Sequence, residues 1–171
     1  MIWIWLSYVQ SPQTFIRQVL LPCTSEIRDS EYGGIHLYCS NLSNRMEEKK
    51  IKNHGFVVQN GREVYKWAVT TVPKGINKLI ENAEVTLNHI NWFVPHSANL
   101  RMIESICEKS GFPMDRTLYS LVDYGNTSSA TIPLSLDKGV REGKLKAGDN
   151  ILLYGFGGGL AHCGLLIHWT I

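Results

Sequence analysis

The stretch Ile90-Asn91-Trp92-Phe93-Val94-Pro95-His96-Ser97-Ala98-Asn99-Leu100-Arg101 decides how the chain is read. Ile90 to Val94 is a short apolar run rich in β-formers, and Pro95 to Ser97 punctuates it. Leu100, Ile103 and Cys107 then recur at helical spacing until Ser110, Gly111 and Pro113 close the segment. A strand, a turn and a helix are predicted, with Ser97 as the helix cap. Cys107 falls on the buried face as a small core residue.

Downstream the cycle repeats. Leu118 to Val122 reads as a strand, Asp123 to Asn126 as its exit loop, and Thr127 to Glu142 as a second helix interrupted by Pro133. Asn150 to Tyr154 reads as a third strand entering the glycine loop Gly155-Phe156-Gly157-Gly158-Gly159, and Leu160 to Thr170 leaves that loop as a further, antiparallel strand. The order β, α, β, α, β, β argues for an α/β layered sheet.

Upstream, Val64, Ala68, Val72, Ile76 and Ile80 recur every fourth residue, and Trp67 and Leu79 widen the stripe. This is an amphipathic helix, in which Pro73 predicts a kink or a break into two helices. Ile35 to Cys39 reads as a short strand, and Asn41 to Asn53, with Glu47-Glu48-Lys49-Lys50, as a solvated loop. Residues 1–32 show neither period and stay unassigned, so the readable domain is 33–171.

With 171 residues, 44% hydrophobic and 19% charged, the chain has the composition of one ordinary globular domain. A formal net charge of +2 is too small for a polyanion-binding surface, which sets nucleic acid aside. Cys23, Cys39, Cys107 and Cys163 lie far apart, with no C-x-x-C pair and no His at finger-like spacing. No metal site or disulfide framework is therefore expected, and reduced thiols of a cytoplasmic protein fit best. Met1 to Val9 is apolar but lacks a basic flank and is too short to span a bilayer, so no membrane segment is expected.

Three loops follow the carboxyl ends of three predicted strands, which is where open α/β sheets gather ligands. His96 is better placed than the other five histidines to meet a substrate, and Asn126 arrives from the neighbouring loop. Each has a plain structural reading as well, His96 as a hydrogen-bonded framework residue and Asn126 as a turn former. The glycine run is either a hairpin needing positive φ or a place where backbone N–H groups approach a ligand. No helix follows it and no Lys-Ser/Thr ends it, so it does not fit the phosphate-binding fingerprints.

Taken together, His96-Ser97-Ala98-Asn99-Leu100-Arg101, Tyr124-Gly125-Asn126-Thr127-Ser128 and Gly155-Phe156-Gly157-Gly158-Gly159 are specific. In order and spacing they resemble the H-x-A-N-x-R, G-N-T-S and G-F-G-x-G signatures of β-ketoacyl-acyl-carrier-protein synthase III, a family of thiolase-fold condensing enzymes. The segments Gly61 to Val69, Pro133 to Val140 and Lys146 to Asp149 are similar to that family too, so the likeness covers roughly residues 33–171.

The resemblance implies a thiolase-like layered αβα fold with a mixed sheet and an antiparallel carboxy-terminal strand pair, present here as an incomplete half. It implies decarboxylative condensation of an acyl-CoA primer with malonyl-ACP to start fatty acid synthesis, in a cytoplasmic homodimer that docks acyl carrier protein. CoA and ACP thioesters are its substrates, and no further cofactor is implied. By resemblance His96 Nε2 and Asn126 Nδ2 are donors to the enolate oxygen left by decarboxylation, where aimed donors lower the barrier. A neutral imidazole donating from Nε2 needs a second hydrogen bond to hold its tautomer. Gly158 corresponds to a backbone donor in the oxyanion hole around the acyl-cysteine carbonyl, where a Cβ would hinder approach, and Phe156 to a side chain beside the nucleophile. Asn99 corresponds to a residue near the pantetheine arm, and Lys66 and Arg101 to basic positions that receive the acidic carrier protein.

The family's nucleophilic cysteine lies in a first half that this sequence lacks, at the start of a buried helix that depresses its pKa. Cys163, inside a predicted strand, lacks that helix context and reads as structural. This chain alone is therefore expected to be inactive. The alternative is a non-catalytic, thiolase-derived module that binds carrier protein, CoA or a partner half. An α/β hydrolase would need a G-x-S-x-G elbow, which the sequence does not contain.

Overall fold

A computed structural model describes residues 33–40, 43–46, 48–52 and 55–170. The unassigned segment 1–32, with its apolar opening and Cys23, lies outside the described residues, as do Asn41, Leu42, Glu47 and Asn53 of the stretch read as a solvated loop.

A 3-10 turn at Gly33–His36 leads into β1 (Leu37–Cys39), which pairs antiparallel with β4 (Val57–Gln59). Between them, β2 (Arg45–Met46) and β3 (Lys49–Lys50) make a small, largely exposed ribbon within the stretch read as a loop. Helix α1 (Gly61–Asn82) follows, its first turn capped by Asn60, whose Oδ1 accepts from Glu63 N at 3.3 Å. It buries Val64, Ala68, Val72, Ile76 and Ile80, the periodic stripe read from the sequence.

The break expected at Pro73 does not occur, because α1 runs through it. Proline supplies no N–H to the carbonyl four residues earlier, that of Val69. Lys109 Nζ donates to this oxygen at 3.1 Å instead and satisfies it from a neighbouring helix. Lys109→Met is expected to cost about 1–3 kcal/mol, because it strands an acceptor beside a buried residue. In a Pro73→Ala background, where the helix makes its own bond, the same change should be nearly silent. Denaturant melts of the four proteins check this, and equal losses in both backgrounds would refute it.

Strand β5 (Trp92–Pro95) and helix α2 (Leu100–Ser110) form the predicted strand–turn–helix. The cap, however, is Asn99, whose Oδ1 accepts from Met102 N at 2.9 Å. Ser97 is buried instead, and its hydroxyl accepts from Ser120 N at 3.2 Å. Gly111, at φ +75°, ends α2 in the left-handed conformation that favours glycine.

The strand expected over Leu118 to Val122 is reduced to one parallel bridge between Phe93 and Thr117, with Leu118 N donating to Phe93 O at 2.8 Å. Local side-chain bonds compete with the ladder here. Thr117 Oγ1 donates to Pro113 O at 3.0 Å, and Ser120 Oγ donates to Thr131 O at 3.1 Å, which turns the chain into a short helix, α3 (Leu121–Tyr124). Helix α4 (Thr131–Arg141) is shorter than predicted and follows a 3-10 turn at Ser128–Ala130. Pro133 interrupts nothing, since it sits in the first turn of α4, where the N–H has no intrahelical acceptor.

Strands β6 (Asn150–Gly157) and β7 (Ala161–His168) complete a mixed sheet of order β5-β6-β7. The β5–β6 pair is parallel and β6–β7 antiparallel, with Leu152 opposite Leu166. Alternate strand residues enter two separate cores. Phe93, Leu152, Tyr154, Phe156 and Leu166 pack with α1 and α2, whereas Val94, Ile151 and Ile167 pack with Leu136 of α4 on the opposite face. The result is an αβα layering whose functional loops leave the carboxyl ends of β5 and β6.

Candidate active site

His96 follows the last residue of β5, and its backbone N–H donates to Tyr154 O at 2.8 Å, so the parallel pairing with β6 fixes where the residue leaves the sheet. Its ring meets the ring of Phe156 edge-on, with centroids 5.2 Å apart. Nδ1 lies 2.8 Å from Thr131 Oγ1 at the start of α4. Burial holds the imidazole below the usual histidine pKa, and a hydrogen bond to the Ser128 backbone pulls the other way.

Asn126 sits in a loop bracketed by two left-handed residues, Gly125 at φ +67° and Ser128 at φ +56°. Glycine adopts such a φ freely, whereas Ser128 holds it against its own Cβ. Ser128 N donates to Asn126 Oδ1 at 3.0 Å. This bond assigns the amide orientation and turns Nδ2 into the outward donor. Thr131 Oγ1 donates to Ser128 O at 3.1 Å, which completes a path of hydrogen-bonded groups from His96 through Thr131 and Ser128 to Asn126. The exposed carboxamide is thus tied to the half-buried imidazole through the loop that carries it. Beside them, Thr127 Oγ1 is buried and without a hydrogen-bond partner.

The glycine loop is tighter than the sequence suggested, because β6 continues to Gly157 and the turn proper starts at Gly158. Gly159, at φ +136°, needs glycine for its backbone. At Gly158 an added Cβ would come no closer than 3.7 Å to Leu37 O, so the surrounding chain does not itself demand glycine there. Phe156 is buried, and its register partner on β7 is His162.

Asn99 is exposed and uses Oδ1 as the α2 cap, a local role that the sequence reading gave to Ser97. Lys66 and Arg101 are both exposed. Tyr65 Oη lies 2.9 Å from Ser105 Oγ, and Lys109 Nζ reaches Val69 O, so α1 and α2 run side by side in the same direction. Lys66 adjoins Tyr65, and Arg101 precedes Ser105 by one turn, which puts the two cations at the same end of the helix pair. Lys66 also borders a cavity of about 330 Å³ lined by Trp67, Thr70 and Leu160, which does not include His96 or Asn126.

The described cysteines stand outside this arrangement. Cys107 is mid-helix, and burial pushes its thiol above the usual pKa despite the Thr117 hydroxyl at 3.4 Å. Cys163 lies within β7 opposite Gly155, and Cys39 ends β1. Among the described residues no group of three or more His, Cys, Asp and Glu gathers to hold a metal, and no helix is long and apolar enough to cross a membrane.

Sequence reasoning missed Thr131 and gave Ser128 no role beyond its place in the Gly-Asn-Thr-Ser signature, yet these residues join the two candidate side chains. The signal was weak, since Thr131 falls inside a helix-period segment and a lone hydroxyl there reads as ordinary.

The layered sheet with its antiparallel closing strands is a thiolase-like α/β fold, which the chain shares with solved synthase III structures. The family model described as the 3-oxoacyl-[acyl-carrier-protein (ACP)] synthase III C terminal matches residues 80–169, and the chain belongs to this family. Among curated relatives, β-ketoacyl-[acyl-carrier-protein] synthase III 2 of Halalkalibacterium halodurans is 67% identical over 135 residues, which are 79% of this chain and 41% of the relative. The Bacillus cereus protein of the same name is 58% identical over 81% of this chain and 42% of its own length. A crystal structure of the Thermus thermophilus synthase III superposes with a TM-score of 0.78 at 36% identity, covering 86% of this chain and 46% of that one. The chain thus spans about two fifths of the length of the curated relatives it matches.

Proposed function

We propose that this chain supplies the carboxy-terminal half of a β-ketoacyl-ACP synthase III, the part that handles malonyl-ACP after an acyl group has been transferred from CoA to a cysteine elsewhere. The observation that carries the reading is the hydrogen-bonded path from His96 to Asn126. Such a path holds two polar side chains from separate loops in a fixed relation, as stabilising one developing oxyanion requires. Loss of carbon dioxide leaves the electron pair of the broken C–C bond as an enolate on the malonyl thioester. His96 and Asn126 are the groups that meet its oxygen, Asn126 through Nδ2.

Gly158, at the tip of the β6–β7 turn, presents backbone toward the acyl carbonyl, and Phe156 lines the space beside His96. Asn99 faces the pantetheine arm. Lys66 and Arg101, at one end of the α1–α2 pair, receive the acidic carrier protein, with charge complementarity acting chiefly on encounter. The complete enzyme is a cytoplasmic homodimer that needs no metal or further cofactor.

None of the described cysteines begins a helix, the setting that lowers a thiol pKa into the nucleophilic range. The chain alone is therefore expected to give no acyl-enzyme with labelled acyl-CoA, and a stoichiometric adduct on Cys163 in an intact-mass measurement would overturn this. Co-expression with the amino-terminal half of a relative decides between the two functional readings. Restored condensation supports the enzyme half, whereas tight binding of carrier protein or CoA without turnover supports a non-catalytic module.

A further inference from the structure

Helices α1 and α2 are joined by two polar rungs, one turn apart on each helix. Tyr65 Oη lies 2.9 Å from Ser105 Oγ, and four residues further along both helices Lys109 Nζ donates to Val69 O at 3.1 Å. Pro73 accounts for the second rung, because it leaves that carbonyl without its intrahelical donor. The first rung answers no such need. Tyr65 and Ser105 are half-buried, where water can satisfy either hydroxyl, and a phenylalanine ring would pack against the same apolar core as the tyrosine ring does.

What the first rung does hold is the spacing of two cations. Lys66 follows Tyr65, and Arg101 stands one turn before Ser105, so one cation is carried on each side of the contact. Both are exposed, and among the described residues neither is in an ion pair, although Glu63 and Glu104 stand three positions away on the same helices. Arg101 also lies in the first turn of α2, where the helix dipole disfavours a positive charge and no acidic residue offsets it. Two cations left uncompensated by their own chain, one of them at a local cost, suit an anionic partner.

We propose that Tyr65 and Ser105 are positioning residues for carrier-protein docking, whose contact fixes the separation of Lys66 and Arg101 so that both engage acidic groups of the carrier at once. The inference rests on the reading that these two cations receive the carrier protein, and it adds the pair of hydroxyls that sets their geometry. Anchoring two long side chains a set distance apart lowers the ordering cost of binding them together. Without the rung, each cation still attracts the carrier, so encounter is little changed. Simultaneous engagement is what suffers, and its loss appears in dissociation.

The test is the affinity of the full chain for acyl carrier protein bearing its pantetheine arm, read at low salt by surface plasmon resonance. Tyr65→Phe and Ser105→Ala are each expected to weaken binding about 2–10-fold, the range for one hydrogen bond, chiefly through a faster off-rate. The double variant should lose no more than the larger single loss, since both changes remove the same contact. In a Lys66→Ala background only one cation is left to place, so Tyr65→Phe should have no further effect. An equal loss in both backgrounds would mean that the contact serves only the fold, and it overturns the proposal, as does wild-type affinity in Tyr65→Phe. Lys66→Ala and Arg101→Ala separate the two levels of the argument. If they weaken binding while Tyr65→Phe does not, the positioning role alone falls. If they leave affinity unchanged, or the wild-type chain does not bind the carrier, the docking reading falls and takes the inference with it.

Discussion

In the enzyme reassembled from this chain and an amino-terminal half, His96→Ala and Asn126→Ala are each expected to lower condensation by about 10²–10³, the usual cost of removing one oxyanion donor. Transfer of the acyl group from CoA to cysteine should continue, because the enolate forms only in the second half-reaction. Burst labelling with acyl-CoA, followed by turnover with malonyl-ACP, separates the two steps. The double variant should lose less than the product of the single losses, since each group acts on the same oxygen. A condensation rate within about tenfold of wild type for either single variant would sink the assignment, because one donor to a developing charge is worth more than that.

The second large effect concerns stability, at a position well inside α1. A Cβ added at Gly75 would sit 1.9 Å from Tyr154 Oη and 3.0 Å from His162 Cε1. Tyr154 is 2% exposed, and its hydroxyl lies 2.8 Å from His162 Nδ1, with the two rings stacked at 5.8 Å. A methyl group here must push apart a helix and two strands or break that bond. Gly75→Ala is therefore expected to cost about 2–5 kcal/mol, combining overpacking with a disturbed buried hydrogen bond. Tyr154→Phe removes the obstructing oxygen, so the double variant should be more stable than the sum of the single losses predicts, by roughly 0.5–3 kcal/mol. Urea titrations provide the measurement. A loss below about 1 kcal/mol for Gly75→Ala, or strict additivity, would show that the helix can shift freely, contrary to a close-packed interior.

The layered α/β class, the α1 stripe and the strand–turn–helix around His96 were legible because each shows a period that burial enforces. The alternation in β6, with Leu152 and Tyr154 entering one core and Ile151 the other, is equally a matter of pattern. What could not be read turned on single polar contacts between distant residues. Pro73 promised a break that Lys109, thirty-six positions later in the chain, prevents by capping Val69 O. Ser97 looked like the better cap until its hydroxyl proved to be engaged by Ser120, which left the task to Asn99. The strand at Leu118 to Val122 had the right composition, but Thr117 and Ser120 divert its backbone through side-chain bonds that no periodicity records. The same limit hid Thr131, because its importance lies in what it touches and not in its spacing.

The parallel pairing of β5 with β6 has a consequence for the order of folding. Asn91 and Asn150, which clasp the base of this pair, are 59 residues apart, whereas β6 and β7 are joined by a tight turn. Closing the longer loop carries the larger entropic penalty, so the hairpin is expected to zip before β5 docks onto it. His96 reaches its station only with that last docking, and a partly folded chain would hold the glycine turn ready-made while its histidine was still adrift.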